Sequence, residues 1–413
     1  MNAQTPKQLA GLITKIILLL GWLASSTLAD ARPTQSIAQS IESNPLEAIE
    51  PDPLLPNPPQ NGQLASPERE RLAAALDRLN QEAMTQLAGG NSPGAFTIWH
   101  RELRLRRYLG SIEELAALSR VGAIAWQQEE ITQLQIITRR LENLEIEYCH
   151  GENDSQNYCN LEFLSGLATG YETVKARDLA IAVYQKILVE AQNRQDLETA
   201  KTLLTKIASL SLEQLDYHGA AQAYEQLLAI AETQDDRGQE IAYVEKLTYI
   251  YSSGRQLERA IAMRQRLVEF YTNTQNLRLI PELKLAIARD YETLNRLELA
   301  LNNYQASYNL AWTLQQFYLA REALVQIASI YQQIPELEKA LQVYEALLIV
   351  DRRSTNLYGL MTTYMQLGQL HQNRENYPQA IAAFKTGLEL SQQLKSNEYA
   401  ANFQQQIEQL NQR

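Results

Sequence analysis

Six alanines recur at a spacing of 40 residues beyond residue 160: Ala180, Ala220, Ala260, Ala300, Ala340 and Ala380. Four residues after each comes a bulky side chain, in turn Tyr184, Tyr224, Arg264, Tyr304, Tyr344 and Phe384. A fixed period of this length confines the chain to one supersecondary unit stacked on copies of itself, because a unit that short cannot bury its apolar face alone. A second motif precedes the alanine by about twelve or thirteen residues: an apolar residue, then a small one, then a ring. Leu167-Ala168 with Tyr171, Ile287-Ala288 with Tyr291, Ile327-Ala328 with Tyr331 and Leu367-Gly368 with His371 show it.

The local pattern is helical. Ala220, Ala223, Tyr224, Leu227, Leu228 and Ala231 return at intervals of three and four, which places them on one buried helix face. Breakers fall where turns are needed: Gly254 before the Ala260 helix, Asn295 before Ala300, Pro335 before Ala340 and Pro378 at the start of the Ala380 helix. Pro281 suits a first helical turn, where its missing N–H is harmless. Alternating runs of β-branched residues are absent, so no sheet is expected.

These motifs resemble the tetratricopeptide repeat over most of residues 67–413. In that superfamily small residues on a first helix and an alanine on a second let two antiparallel helices approach closely, and aromatic rings fill the wedge between pairs. The resemblance implies an all-α fold, a right-handed superhelical solenoid of antiparallel helix pairs. A period of 40 is longer than the usual repeat, so both helices should be about one turn longer, as in the longer-repeat branch. Six such repeats are expected over residues 161–396. Two degenerate units over 67–160 should precede them, around Ala95, Ile98 and Trp99 and around Leu118, Val121 and Gly122, and residues 397–413 should form a capping helix. The chain is also similar to exported tetratricopeptide proteins of photosynthetic bacteria.

The first residues differ in kind. Lys7 and Lys15 precede the apolar run Ile16–Ala24, and small residues then lead to Ala29-Asp30-Ala31, the layout of a signal peptide over residues 1–31 with cleavage after Ala31. An uncleaved anchor and a non-targeting hydrophobic start are the alternatives. Export to the periplasm, or to the thylakoid lumen of a photosynthetic bacterium, is therefore expected. Residues 32–66 read as a structureless proline-rich linker: with Pro67 this region takes eight of the 13 prolines, each of which removes a backbone donor.

A formal charge of -11 argues against a phosphate-backbone partner, which needs clustered cations. Proteins or peptides are the expected partners, with membrane association only through an uncleaved N-terminus. The most basic stretch, His100–Tyr108, contains Arg101, Arg104, Arg106 and Arg107, which cannot all share one helix face. They are candidates for gripping an acidic partner segment, against the plainer reading of a solvated helix face. The inner faces of the first helices offer Lys206, Lys246, Tyr249 and Arg289 as further candidate contacts, against the same plain reading. Some family members hold a terminal carboxylate with a clamp of lysines, asparagines and an arginine. The corresponding positions here are Ser165, Thr169, Thr205, Ser209, Glu245 and Tyr249, so that clamp is missing.

Cys149 and Cys159, the only cysteines, flank a polar turn-rich segment. In an oxidising compartment a disulfide closing this short loop is expected. A metal held by Cys149, His150 and Cys159 lacks an evident fourth ligand and matches no common zinc spacing; free thiols are the third alternative. No catalytic, cofactor or metal site is expected: the four histidines, His100, His150, His218 and His371, lie in different units, and no phosphate loop, metal motif or nucleophile elbow accompanies them. The sequence thus points to a non-catalytic scaffold that binds partners in a concave groove and serves an envelope or membrane complex. A peptide-sensing regulator is the alternative.

Overall fold

The computed structural model describes residues 44–48, 51–56, 58–59, 64–149 and 159–412. The signal-peptide expectation over 1–31 and His150 lie outside those residues. The chain divides into two compact units, one ending at Cys159 and the other beginning at Asn160. Among the described residues no strand occurs beyond a lone bridge between Asp52 and Leu55, and no helix is long and apolar enough to cross a membrane.

The first unit holds α1 (Ser66–Ala88), α2 (Ser92–Arg106), a 3-10 turn (Arg107–Leu109), α3 (Ser111–Gln127) and α4 (Ile131–Cys149), each packed on the next. The second unit pairs first helices with second helices. The pairs are α5 (Leu161–Thr173) with α6 (Arg177–Asn193), α7 (Leu197–Glu213) with α8 (Tyr217–Thr233), and α9 (Arg237–Ser253) with α10 (Leu257–Asn273). They continue as α11 (Ile280–Thr293) with α12 (Leu297–Thr313), α13 (Phe317–Gln333) with α14 (Leu337–Arg353), and α15 (Leu357–Asn373) with α16 (Tyr377–Gln393). A last helix, α17 (Asn397–Asn411), packs on α16 and buries Phe403 and Leu410.

The six spaced alanines have no exposed surface, which fits their place where two helix backbones come closest. The residue four positions on then reaches back to the partner helix. The Tyr304 hydroxyl donates to Glu292 at 2.7 Å, Tyr184 donates to Glu172, and the Gln332 amide donates to the Tyr344 hydroxyl at 3.2 Å. Arg264 keeps the same reach: it donates to the Ser252 hydroxyl at 2.7 Å and pairs with Asp290 on the next helix, an ion pair mostly withdrawn from water.

Most helices of 17 residues end in the same way, Pro335 being an exception with no N–H to give. In the α6–α7 turn Gln195 is left-handed at φ 58°, its N–H bonds the Gln192 carbonyl at 3.0 Å, and the Asp196 N–H bonds the Ala191 carbonyl at 2.9 Å. This is a Schellman stop, and the residue that closes it also starts the next helix. Asp196 accepts from the Thr199 N–H at 3.1 Å; Asp216, Asp236 and Asn356 cap in the same way. The left-handed position recurs every 20 residues, at Lys175, Gln195, Leu215, Asp235, Arg255, Gln275 and onward, and glycine never fills it there. A left-handed side chain costs about 1–2 kcal/mol, and the unfolded-state entropy of glycine takes back roughly half of that. Leu215, at φ 61° and 69% exposed, loses little packing when truncated. Leu215→Gly should therefore raise stability by about 0.5–1 kcal/mol, read as a higher urea midpoint at unchanged slope; a lower midpoint would contradict the assignment.

The buried tyrosines set an alkaline limit. Burial, reinforced by its bond to Glu225, pushes the Tyr251 hydroxyl up to about 12. Tyr304, Tyr184 and Tyr344 are likewise raised, burial being the main cause. Unfolded tyrosine ionises near 10. The stabilisation is therefore complete below about pH 10 and is lost as pH rises toward 12, because only the unfolded chain releases the proton in between. Ellipticity at 222 nm should fall over that window, and Tyr251→Phe should shift the midpoint upward.

Candidate partner-binding faces

The arginines of α2 already have partners. The Arg101 guanidinium grips Asp52 with Nε at 2.7 Å and Nη2 at 2.8 Å, and this bond holds the Asp52 carboxyl below its ordinary range. Arg106 is buried, where it donates to Glu102 at 3.0 Å and Asp77 at 2.6 Å. Arg107 donates to the Leu46 carbonyl at 2.6 Å and to that of Arg104 at 2.7 Å. Arg104 lines a pocket against Pro51, Asp52, Leu55 and Pro56. These side chains do not form a plain solvated face: they grip an acidic segment, and that segment belongs to the same chain.

Within the linker expected over 32–66, the described residues are not structureless. Asn44 and Leu46 are buried, and Leu55 and Leu64 pack against Leu72, Leu76, Leu105 and Leu109. Proline stops this stretch from joining a helix, but side-chain anchors need no backbone ladder. Asp52 and Leu46 are contact residues of this face that sequence reasoning missed. The only signal was an acid and an apolar residue set among prolines in the same chain as an arginine cluster.

Cys149 and Cys159 are joined by a disulfide, so neither is left as a thiolate for the metal alternative. Among the described residues no three His, Cys, Asp or Glu side chains converge as a metal site would need.

In the second unit the expected contacts fall on successive first helices and do not converge on one point. Lys206 on α7 donates to Glu172 at 2.8 Å and to the Tyr184 hydroxyl at 3.0 Å. Burial opposes its charge, but these two partners outweigh it and raise its pKa above the ordinary lysine value. With Ser165, Thr169, Glu198 and Thr202 it lines a shallow pocket. Lys246 and Tyr249 lie three residues apart on α9, so they share a face; both are exposed, Tyr249 by 61%. Arg289 stands on α11 one period after Tyr249 and pairs with Glu322 on α13. Glu322 is one turn from Tyr318, which is 76% exposed. Tyr358, one period later on α15, is 55% exposed, and its hydroxyl lies 3.0 Å from that of Tyr399 on α17. Tyr249, Arg289, Glu322, Tyr318 and Tyr358 thus trace one strip along the first helices. Tyr318 and Tyr358 were legible as a periodic pair, because the same position holds Glu198 and Gly238 earlier in the array.

The family model for the tetratricopeptide repeat matches residues 362–394, which cover most of α15, its turn and all of α16. That match identifies one tetratricopeptide repeat in the last helix pair. No curated protein sequence matches the chain. Among solved structures the chain is similar to BtubC from P. vanneervenii, at 16% identity over 54% of this chain and 93% of that one, with a TM-score of 0.35. It is similar to the MamA protein at 18% identity, over 46% and 92% of the two chains, with a TM-score of 0.33. A Rap protein complexed with competence and sporulation factor is similar at 14% identity over 83% of this chain and 98% of that one, with a TM-score of 0.29.

Proposed function

We propose that this tetratricopeptide protein is an exported, non-catalytic scaffold that holds peptide or protein partners along the first helices of its second unit. The observation that carries the reading is the strip of Tyr249, Tyr318 and Tyr358, three large rings left uncovered on helices whose other faces are buried. Tyrosine supplies wide, rigid contact area with a polar tip, and it concentrates where protein surfaces meet. Arg289 and Glu322 between the rings supply charged groups to fix the register of a bound chain. Lys7 and Lys15 ahead of the apolar run Ile16–Ala24, with the Ala29-Asp30-Ala31 site, support export, and with it a role in assembling an envelope or membrane complex.

Affinity capture from the exported fraction tests this, with wild type beside Tyr249→Ser, Tyr318→Ser and Tyr358→Ser combined. Partners held by the wild type should drop out of the variant. Identical sets from both would remove the strip as the binding face. A reporter fused after Ala31 tests the compartment, and a full-length product retained in the cytosol would overturn the export reading.

A further inference from the structure

Residues 44–48 and 51–56 meet the face of α2, the 3-10 turn and α4 as a ligand meets a receptor. Leu46 is 2% exposed, and its carbonyl receives Arg107 Nη2 at 2.6 Å. Asn44 folds a local turn, accepting the Leu46 N–H at 3.0 Å, while its own amide donates to the Ile136 carbonyl on α4 at 3.2 Å. Asn143, also on α4, donates to Glu47. Six residues beyond Leu46, Asp52 takes the two-pronged grip of Arg101. The backbone bonds within the segment are its own short turns, Glu47 to Asn44 at 2.8 Å and Leu55 to Asp52 at 2.9 Å. What the face reads is therefore a side-chain pattern and not an extended backbone, and the paired donors of one guanidinium select a carboxylate by shape as well as charge.

We infer that this face of the first unit is a peptide-binding surface filled in cis by residues 44–48 and 51–56, and that it takes in trans an acidic, proline-containing peptide with an apolar anchor six residues ahead of an aspartate. The ion pair that completes the grip is within reach of solvent, since the Arg101 side chain is 36% exposed. A tethered segment holds its place mainly through local concentration, about millimolar for a short flexible tether, so a partner with the same anchors and a few added contacts displaces it. The inference deepens the scaffold reading by naming a partner class, but on a different face. Loss of peptide binding here leaves the tyrosine strip untouched, and loss of the strip's partners leaves this face untouched.

The test uses the full chain carrying Leu46→Asp and Asp52→Lys, which empties the face, and a fluorescein-labelled peptide of residues 43–57 followed by anisotropy. The opened chain should bind the peptide in the micromolar range and the wild type at least tenfold more weakly. Adding Arg101→Glu should abolish binding, and a peptide with Asp52→Arg should restore it. No binding to the opened chain, or equal binding after Arg101→Glu, overturns the proposal. So does a dimer of the opened chain that the peptide cannot dissociate. If the opened chain fails to fold, a protease site placed at residues 60–63 of the wild type serves instead. After cutting, the N-terminal fragment should stay bound in gel filtration and leave on addition of excess peptide. A fragment that leaves at once, or that excess peptide never displaces, refutes the proposal.

Discussion

Arg140→Met should cost the first unit about 3–5 kcal/mol, the range for removing one member of a buried ion pair. Arg140 is 4% exposed and Glu114 3%. The guanidinium binds Glu114 with Nε at 2.7 Å and Nη2 at 3.3 Å, and Glu147 with Nη1 at 2.8 Å. Burial pushes the Glu114 carboxyl above its ordinary range even with that partner in place. Without it the carboxylate is stranded, and only protonation relieves it. The sign follows: a raised folded-state pKa stabilises the folded chain below that pKa and destabilises it above, so the variant should lose more at pH 8 than at pH 5. The double replacement Arg140→Met with Glu114→Leu should recover most of the loss, since well-packed apolar residues often substitute for such a pair without penalty. Urea unfolding followed at Trp99 and Trp126 in a Trp312→Phe background reads this unit apart from the second. A loss below about 1 kcal/mol would mean that the pair is wetter than its burial implies.

Phe384→Ala should cost about 3–5 kcal/mol in the second unit. The ring has no exposed surface, and it lies so close to Gly368 that an added Cβ there would sit 2.2 Å from its Cε1. It also meets the Phe403 ring at 6.2 Å between centroids, and Phe403 in turn fills the space over Gly387. Truncation opens a cavity at the last repeat and loosens the capping helix, so amides of α17 should lose hydrogen-exchange protection first. Gly368→Ala alone should also destabilise, and Phe384→Leu should relieve part of that clash. An unfolding loss under about 1.5 kcal/mol would show that the socket collapses without a void.

The architecture was legible because its requirement falls on residue size. An alanine between two close helices admits no substitute, so the demand leaves a mark at every repeat. The turns leave fewer: Asn295 and Pro335 read as breakers, but most left-handed positions hold residues such as Lys, Gln, Leu, Asp or Arg, whose identities do not announce a strained backbone, and the stop is carried by main-chain bonds. Arg264 stood out as the break in the aromatic series, yet its partner Asp290 lies 26 positions on and has no sequence tie to it. The same holds for Arg101 and Asp52, 49 positions apart. Arginines on a helix read as solvated until the acids that bury them are known, so Arg106 and Arg140 were hidden in plain composition. Tyr249 was readable as a groove residue; Tyr318 and Tyr358 needed only a comparison of one period with the next.

The twenty-residue interval between left-handed stops has a consequence for how such a chain can be lengthened or cut. Odd and even helices play different parts, one kind presenting tyrosines and the other supplying the spaced alanines. Removing or adding a single helix would hand every later element the opposite role, with rings turned inward and alanines outward. Growth or loss is therefore tolerable only in whole pairs, and a recombination event off by one turn element would scramble everything downstream of it.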